Sequence, residues 1–387
     1  MNCLLSTKLK LGRKANVNNG SIDICGVSDN ARKITEIIVV VCALSGGGTE
    51  RAITNLLTQW NKDGIAICIV QLEPADPDNM YPIPDSVEVI NIPNKKGLLL
   101  NKRIYWAHEL AKIMHKKPHA AVVAFMYRAM LAVTMASFSC NNLIVFSERM
   151  DPSRITFYSM MSKRLFRFAD KCIFQTKEAM SYFPKYIQNK GVVIPNAIAP
   201  GLPERYVGQK EKTIIAACRL EPQKNVKMMI KACASVFADY PNYKLIIYGE
   251  GSKRSTLEKL IKDLGMENNI FLPGYCNRIH DKMKSCCCYL SSSNYEGISN
   301  SMLEAMALGI PSIVTDCPIG GARLVIKNNV NGILVRVGDI DAMRTAIVKV
   351  ISDSTFAQNL SDMAYQIRKQ YPLDKIAKQW ITHMECS

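Results

Sequence analysis

Two carboxylates stand eight positions apart in the run Tyr295-Glu296-Gly297-Ile298-Ser299-Asn300-Ser301-Met302-Leu303-Glu304-Ala305. Glu296 falls in a glycine-containing loop after the strand-like residues 288–292, and Glu304 falls on a helix that opens near Ser299. A helix advances about 1.5 Å per residue, so Glu304 lies roughly one turn inside it. Between the two acids, the backbone N–H groups of Gly297, Ile298 and Ser299 belong to a helix N-terminus, where anions bind. This arrangement suits a ligand that carries many hydroxyls and a diphosphate. The plain alternative is an amphipathic helix with two solvated acids.

Two cations converge on the same place. Arg219 ends the strand-like run 213–218, and Lys224 follows five residues later at a helix start. Both project from the carboxyl end of a strand, Arg as a donor fork and Lys as a point charge, as a diphosphate would require. Gly249 sits at a strand–helix turn, where the missing Cβ lets backbone approach a ligand. Ser45-Gly46-Gly47-Gly48 opens the first helix and offers N–H groups to a phosphate. It is a poor dinucleotide fingerprint, because Arg51 or Ala52 occupies the third glycine position. Glu148-Arg149-Met150-Asp151 follows another strand and could meet a second substrate. Asp76-Pro77-Asp78 reads as a loop. The histidines show no metal spacing, and His119, before a strand, is expected to be structural although it could face a cleft. No metal ligand set is assigned.

These residues need a frame. Strand-like runs at 37–43, 65–72, 87–92, 120–125, 142–147, 171–175 and 191–194 alternate with helical patterns, and the rhythm restarts at 213–218, 244–248, 269–273, 287–291, 311–315 and 333–336. This is the pattern of parallel, doubly wound α/β sheets, with ligands at the carboxyl ends of the strands. The expected organisation is a polar extension over 1–33, a Rossmann-like domain over 34–200, a second over 201–370, and a C-terminal helix over 371–387; residues 355–384 read as helical. At 387 residues there is enough chain for two full cores. The start of the chain reads as neither signal peptide nor anchor, and no apolar run reaches the ~18 residues of a membrane span.

The chain carries a net charge of +16, with +10 (25 − 15) in residues 1–200 and +6 (24 − 18) in the remainder. The excess concentrates at Lys95, Lys96, Lys102, Arg103, Lys112, Lys116 and Lys117, and again at Lys163, Arg164, Arg167 and Lys171. The basic helices at 101–117 and 155–168 also carry apolar faces, which fits either an anionic membrane surface or packing on the sheet. Of the fourteen cysteines, Cys42, Cys68, Cys218 and Cys288 lie in apolar runs and read as small buried hydrophobes. A reducing cytoplasm is the expected compartment.

Taken in order, the motifs resemble the family-4 retaining glycosyltransferases of the GT-B fold, in which two Rossmann-like domains face each other across a central cleft. The resemblance runs from about Ile37 to the C-terminus and is strongest over 213–339. It is carried by Arg219…Lys224-Asn225, Tyr248-Gly249-Glu250-Gly251, Phe271-Leu272-Pro273-Gly274, the paired glutamates with Gly309-Ile310-Pro311, Asn331-Gly332, and Val193-Ile194-Pro195-Asn196 at the inter-domain joint. It implies that Arg219 and Lys224 hold the donor diphosphate and that Glu304 takes the ribose hydroxyls. Glu296 would contact the donor sugar, lined by Gly297, Ile298, Ser299 and Asn300. Gly47 and Gly48 would meet donor or acceptor from the other domain, Gly274 would lie near the base, and the C-terminal helix would cross back to the first domain. The chain departs from the family at Leu324, where many relatives carry Glu, so no base is read from that loop.

The implied reaction moves a hexose or N-acetylhexosamine from a nucleotide sugar, expected to be UDP-linked, to a lipid-linked or growing surface saccharide. A polyprenyl-diphosphate-linked acceptor fits this expectation, and the enzyme would work peripherally at the inner face of the cell membrane. No cofactor beyond the donor is expected. Retention can run through a Glu296 nucleophile or by same-face attack, with the leaving phosphate taking the acceptor proton; the second is preferred. The alternatives are a nucleotide-sugar epimerase or phosphorylase of the same fold, or a basic nucleic-acid-binding protein. The last lacks aromatic platforms near its basic runs, so no nucleic-acid partner is expected.

Overall fold

Unbroken β-branched runs are what a strand covered on both faces requires, and β1 (Glu36–Val41), of sequence Glu-Ile-Ile-Val-Val-Val, is buried after its first residue. It forms one sheet with β2 (Ala66–Gln71), β3 (Glu88–Asn91), β4 (Ala121–Phe125), β5 (Leu143–Ser147), β6 (Lys171–Phe174) and β7 (Gly191–Val193). A second sheet contains β8 (Glu211–Ala217), β9 (Lys244–Tyr248), β10 (Ile270–Gly274), β11 (Cys286–Ser291), β12 (Ser312–Thr315) and β13 (Ile333–Val335). This computed structural model describes residues 33–44, 47–75, 81–93, 99–149, 151–154 and 156–386. Almost all of the N-terminal extension lies outside the described residues, as do Ser45, Gly46, Asp76, Asp78, Lys95, Lys96 and Met150.

All pairings in both sheets are parallel. The strand orders are β3-β2-β1-β4-β5-β6-β7 and β10-β9-β8-β11-β12-β13. Each order reverses once, between β1 and β4 and between β8 and β11. The loops leaving those neighbours diverge to opposite faces and open a crevice. The two sheets present these crevices to each other, so the fold is GT-B: two doubly wound Rossmann-like halves across a central cleft.

Each sheet is packed on both sides by helices. The helix Met126–Ser137 is buried along most of its length, at Tyr127, Ala129, Met130, Ala132, Val133, Thr134 and Ala136. Its first residue has φ 64°, a left-handed conformation that side chains with a Cβ seldom adopt. The helix Leu99–Lys116 buries Trp106, Leu110 and Met114 in the first core. Several of its basic residues and their neighbours are neutralised locally: Lys102 by Glu73, Lys112 by Glu109, and Lys117 by Glu36 and Glu88. Cys68 and Cys288 are fully buried, whereas Cys42 and Cys218 are only partly so. Burial pushes the Cys68 thiol up to about 12, the behaviour of an inert core residue.

The tail is not one helix. Helices Ser354–Tyr365 and Ile367–Gln370 end before Tyr371-Pro372, and a new helix, Leu373–Glu385, begins there. Proline removes a backbone donor and biases the preceding residue away from the helical region, so the chain turns and the last helix lies on the first sheet. Its Trp380 is fully buried, edge-on to Trp60 at 5.6 Å and 5.8 Å from Phe125. Trp60 Nε1 donates to Ala377 O (3.2 Å), and the Glu385 carboxylate accepts from Ile34 N (3.0 Å). Removing a buried indole costs about 3–5 kcal/mol. Trp380→Ala should therefore lower the urea midpoint of the first half markedly, and Trp380→Phe should recover much of the loss. An unchanged midpoint in the alanine variant would show that the tail contributes no packing to the first sheet.

Candidate active site

The crevice between β8 and β11 brings the two halves of the sequence signal together. β8 ends in Cys218-Arg219 and leads to the 3₁₀ turn Pro222–Lys224, while β11 ends in Ser291 and leads to the loop that carries Glu296. The two loops are joined by hydrogen bonds. Gln223 O accepts from Asn294 N (2.8 Å), Gln223 Nε2 donates to Tyr295 O (3.0 Å), and the buried Ser292 hydroxyl lies 2.9 Å from Lys224 O and 3.0 Å from Asn225 O. Asn225 takes a left-handed conformation at the start of the helix Val226–Phe237, a role its short polar side chain tolerates.

This clamp sets Lys224 against Glu296 in an ion pair, and Ser293 Oγ donates to the same Glu296 oxygen (3.1 Å). Arg219 is exposed at the strand end, with a long contact from Nη2 to Gln223 Oε1 (3.4 Å). Gly249 ends β9 with φ 140°, and a Cβ there would lie 2.0 Å from Cys218 O, so only glycine fits beside the β8 loop. Gly249 N donates to the carbonyl of Gly274, which ends β10 (2.9 Å).

Ser299 caps the helix Asn300–Ala307, its hydroxyl accepting from Met302 N. Gly297 is tight against the first domain: a Cβ would stand 2.0 Å from Gln175 Oε1 and 3.6 Å from Arg149 O. The same Gln175 oxygen accepts from Ile298 N (3.4 Å). That N–H is therefore turned to a neighbouring side chain. Glu304 is 2% exposed and is held by Arg51 and by His280, whose Nε2 lies 2.9 Å from Oε2. Gly47 and Gly48 start the first helix, Gly48–Lys62, and Gly48 O accepts from Asn300 Nδ2 (2.8 Å).

Of the twelve site residues expected from sequence, Lys224 meets Glu296, Gly297 and Ile298 pack on Gln175, Asn300 and Glu304 reach Gly48 and Arg51 of the first half, and Gly249 bonds to Gly274. Residues outside that set join the two halves. Asn196, in the joint, accepts from Arg149 Nη1 (2.6 Å) and Gln175 Nε2 (2.9 Å) and donates to Ile298 O (3.0 Å) and Asn300 Oδ1 (2.8 Å). The Arg149 guanidinium also lies 5.2 Å from the Trp380 ring and 5.7 Å from Phe125. Burial lowers its pKa to about 10, so it stays charged at neutral pH.

Asp151 is buried; its Oδ1 accepts from Ser153 N (2.8 Å), and its Oδ2 has no protein partner. Three residues on, the Arg154 guanidinium stacks 3.9 Å from the Tyr295 ring, beside Glu296. Burial pushes the Glu50 carboxyl up, opposed by the charge of Arg219 from across the cleft. His119 is exposed at the amino end of β4, the edge of the sheet away from the crevice, so it does not face the cleft.

Residues 204–369 match the family described as Glycosyl transferases group 1. The chain is 22% identical over 362 residues to a Campylobacter jejuni GalNAc-alpha-(1->4)-GalNAc-alpha-(1->3)-diNAcBac-PP-undecaprenol alpha-1,4-N-acetyl-D-galactosaminyltransferase, covering 89% of this chain and 97% of that protein. Among solved structures it is similar to a variant of S. aureus TarM in complex with fondaparinux, alpha-GlcNAc-glycerol and UDP (TM-score 0.76, 14% identity, 91% of this chain and 100% of that one). It is also similar to Anabaena HepE in complex with UDP-glucose (TM-score 0.74, 18% identity, 89% and 97%). The chain spans 20% to 64% of the length of the first curated relatives it matches. With the facing crevices and the ordered motifs already in place, the chain has the GT-B fold, and its residues 204–369 match the glycosyl transferases group 1 family.

Proposed function

We propose that this protein is a retaining glycosyltransferase that moves a sugar from a nucleotide sugar, UDP-linked in our reading, to a lipid-linked or growing surface saccharide. The observation that carries the reading is the Lys224–Glu296 pair at the β8–β11 switch point, with Arg219 exposed beside it. In this reading Arg219 and Lys224 bind the diphosphate, Glu296 orients the donor sugar with Gly297, Ile298, Ser299 and Asn300, and Glu304 anchors the ribose. Gly249 and Gly274 let backbone close on the nucleotide end, and Gly47 and Gly48 approach from the opposite wall. The complexes of TarM with UDP and of HepE with UDP-glucose support a uridine nucleotide.

The geometry favours same-face attack. An oxygen of Glu296 is already engaged by a cation and a hydroxyl, which lowers its power as a nucleophile and fixes it as a positioning group. The leaving diphosphate oxygen then takes the acceptor proton, while Arg219 and Lys224 stabilise the charge that develops on it. Asp151 and Arg154 stand on the acceptor wall, and the free oxygen of Asp151 suits an acceptor hydroxyl. Lys224→Ala should lower kcat by about 10²–10³ with little change in acceptor KM, read as acceptor-dependent release of UDP. Normal turnover in that variant would refute the assignment.

The acceptor wall continues into an apolar surface. The helix Phe157–Leu165 begins just beyond Arg154, with Phe157 and Tyr158 each 62% exposed and Met160 exposed beside them. Phe138 and Phe168 extend the strip in edge contact at 5.9 Å, and Lys163, Arg164 and Arg167 flank it. No helix among the described residues is long and apolar enough to cross a membrane. The strip instead fits shallow docking on an anionic lipid surface. A saccharide on a membrane-held lipid would then enter the cleft directly beside its anchor, as suits the undecaprenol-linked substrate named for the Campylobacter jejuni relative. Phe157→Ser combined with Tyr158→Ser should reduce flotation with phosphatidylglycerol vesicles several-fold and leave UDP binding unchanged. Failure of the unaltered protein to float with such vesicles would overturn the membrane reading.

A further inference from the structure

Glu304 is the proposed ribose anchor, yet its carboxylate is already occupied. Arg51 Nη1 lies 3.0 Å from Oε1 and 3.1 Å from Oε2, and His280 Nε2 lies 2.9 Å from Oε2. A carboxylate has about four lone-pair sites, so these three contacts leave room for one more. A ribose presents two vicinal hydroxyls. Both cannot be accepted while Arg51 keeps its place.

Arg51 belongs to the helix Gly48–Lys62 of the first half, and Glu304 to the helix Asn300–Ala307 of the second. Their contact therefore spans the cleft. One turn away on the same pair of helices, Gly48 O accepts from Asn300 Nδ2, so the two helices meet at two points.

We propose that Arg51 is a latch on Glu304: it occupies the carboxylate from the first half and is displaced by the ribose hydroxyls of the donor. The inference rests on the reading of Glu304 as the ribose anchor. Ribose replaces Arg51 on Glu304, and Arg51 lowers nucleoside affinity by the free energy of its own contact.

A direct donor contact by Arg51 would act in the opposite sense, so the sign of one measurement separates the two. Uridine, guanosine and adenosine, which carry no phosphate, should be titrated calorimetrically into the unaltered protein and into Arg51→Gln. The latch predicts roughly five- to tenfold tighter binding of at least one nucleoside by Arg51→Gln. Arg51→Met, which keeps the stem and removes every donor, should bind that nucleoside more tightly as well. Arg51 is 24% exposed, so neither substitution removes core packing.

If no nucleoside binds Arg51→Gln more tightly, the latch is wrong. The ribose reading is tested separately by 2′,3′-dideoxyuridine, or by the dideoxy form of whichever nucleoside binds. Equal affinity of the unaltered protein for the dideoxy and ordinary nucleosides removes the Glu304 anchor and the latch with it. Discrimination between them without tightening in Arg51→Gln removes the latch alone.

Discussion

One side-chain amide joins the two halves of this molecule. Asn196 has two acceptor sites and two N–H donors, and all four are used: Arg149 and Gln175 of the first half on its oxygen, Ile298 and Asn300 of the second on its nitrogen. Because an amide is rigid and planar, saturating it fixes the direction of all four partners at once. Those partners are the strand-end loops of the first sheet and the loop that carries the glutamate pair. The relation of acceptor wall to donor wall is set here, in a part-buried polar network where an unpaired group is costly. The Arg149 guanidinium is in turn backed by Trp380 and Phe125. The joint is thus braced by the C-terminal helix, and packing far from the chemistry reaches the cleft through a single arginine.

Much of this arrangement was written in local sequence. A strand buried on both faces has to be apolar without interruption, so β1, β4 and β8 declared themselves. A helix cap followed by a carboxylate one turn on is also a local pattern, and it placed Ser299 and Glu304 correctly. The helix Met126–Ser137 was harder to see because it is buried almost all round and carries no polar stripe to give it a 3.6-residue period. The tail reads as helical over 355–384 with a C-terminal helix expected over 371–387; Pro372 sets the break before that last helix, and the break lets Trp380 reach Trp60.

What sequence could not carry was pairing across distance. Arg51 and Glu304 are 253 residues apart, and nothing near either one signals the other. Asn196 could be read as part of a joint, but not as a saturated four-way hydrogen bond. Asp151 reads from sequence as part of a strand-end group that could meet a second substrate, but not as a buried acid with one oxygen lacking a protein partner. In each case the local residue type was legible, while its meaning depended on which loop of the other half folded against it.

The cleft has one more electrostatic consequence. Two helices, Gly48–Lys62 and Asn300–Ala307, point their N-termini into it from opposite walls. Each carries a partial positive charge of about +0.5, and Arg219 and Lys224 add two full ones. Positive charge gathered in this way is self-repelling unless negative charge faces it. Glu296 and Glu304 supply such charge from the protein, paired with Lys224 and Arg51. A nucleotide diphosphate brings the same sign of charge to the same place, so in our reading donor binding exchanges internal carboxylate contacts for phosphate and ribose ones instead of creating a charged site from nothing. On this view the glutamate pair from which the site was first recognised is not a catalytic couple. In our reading it is the internal counter-charge of a strongly positive crevice.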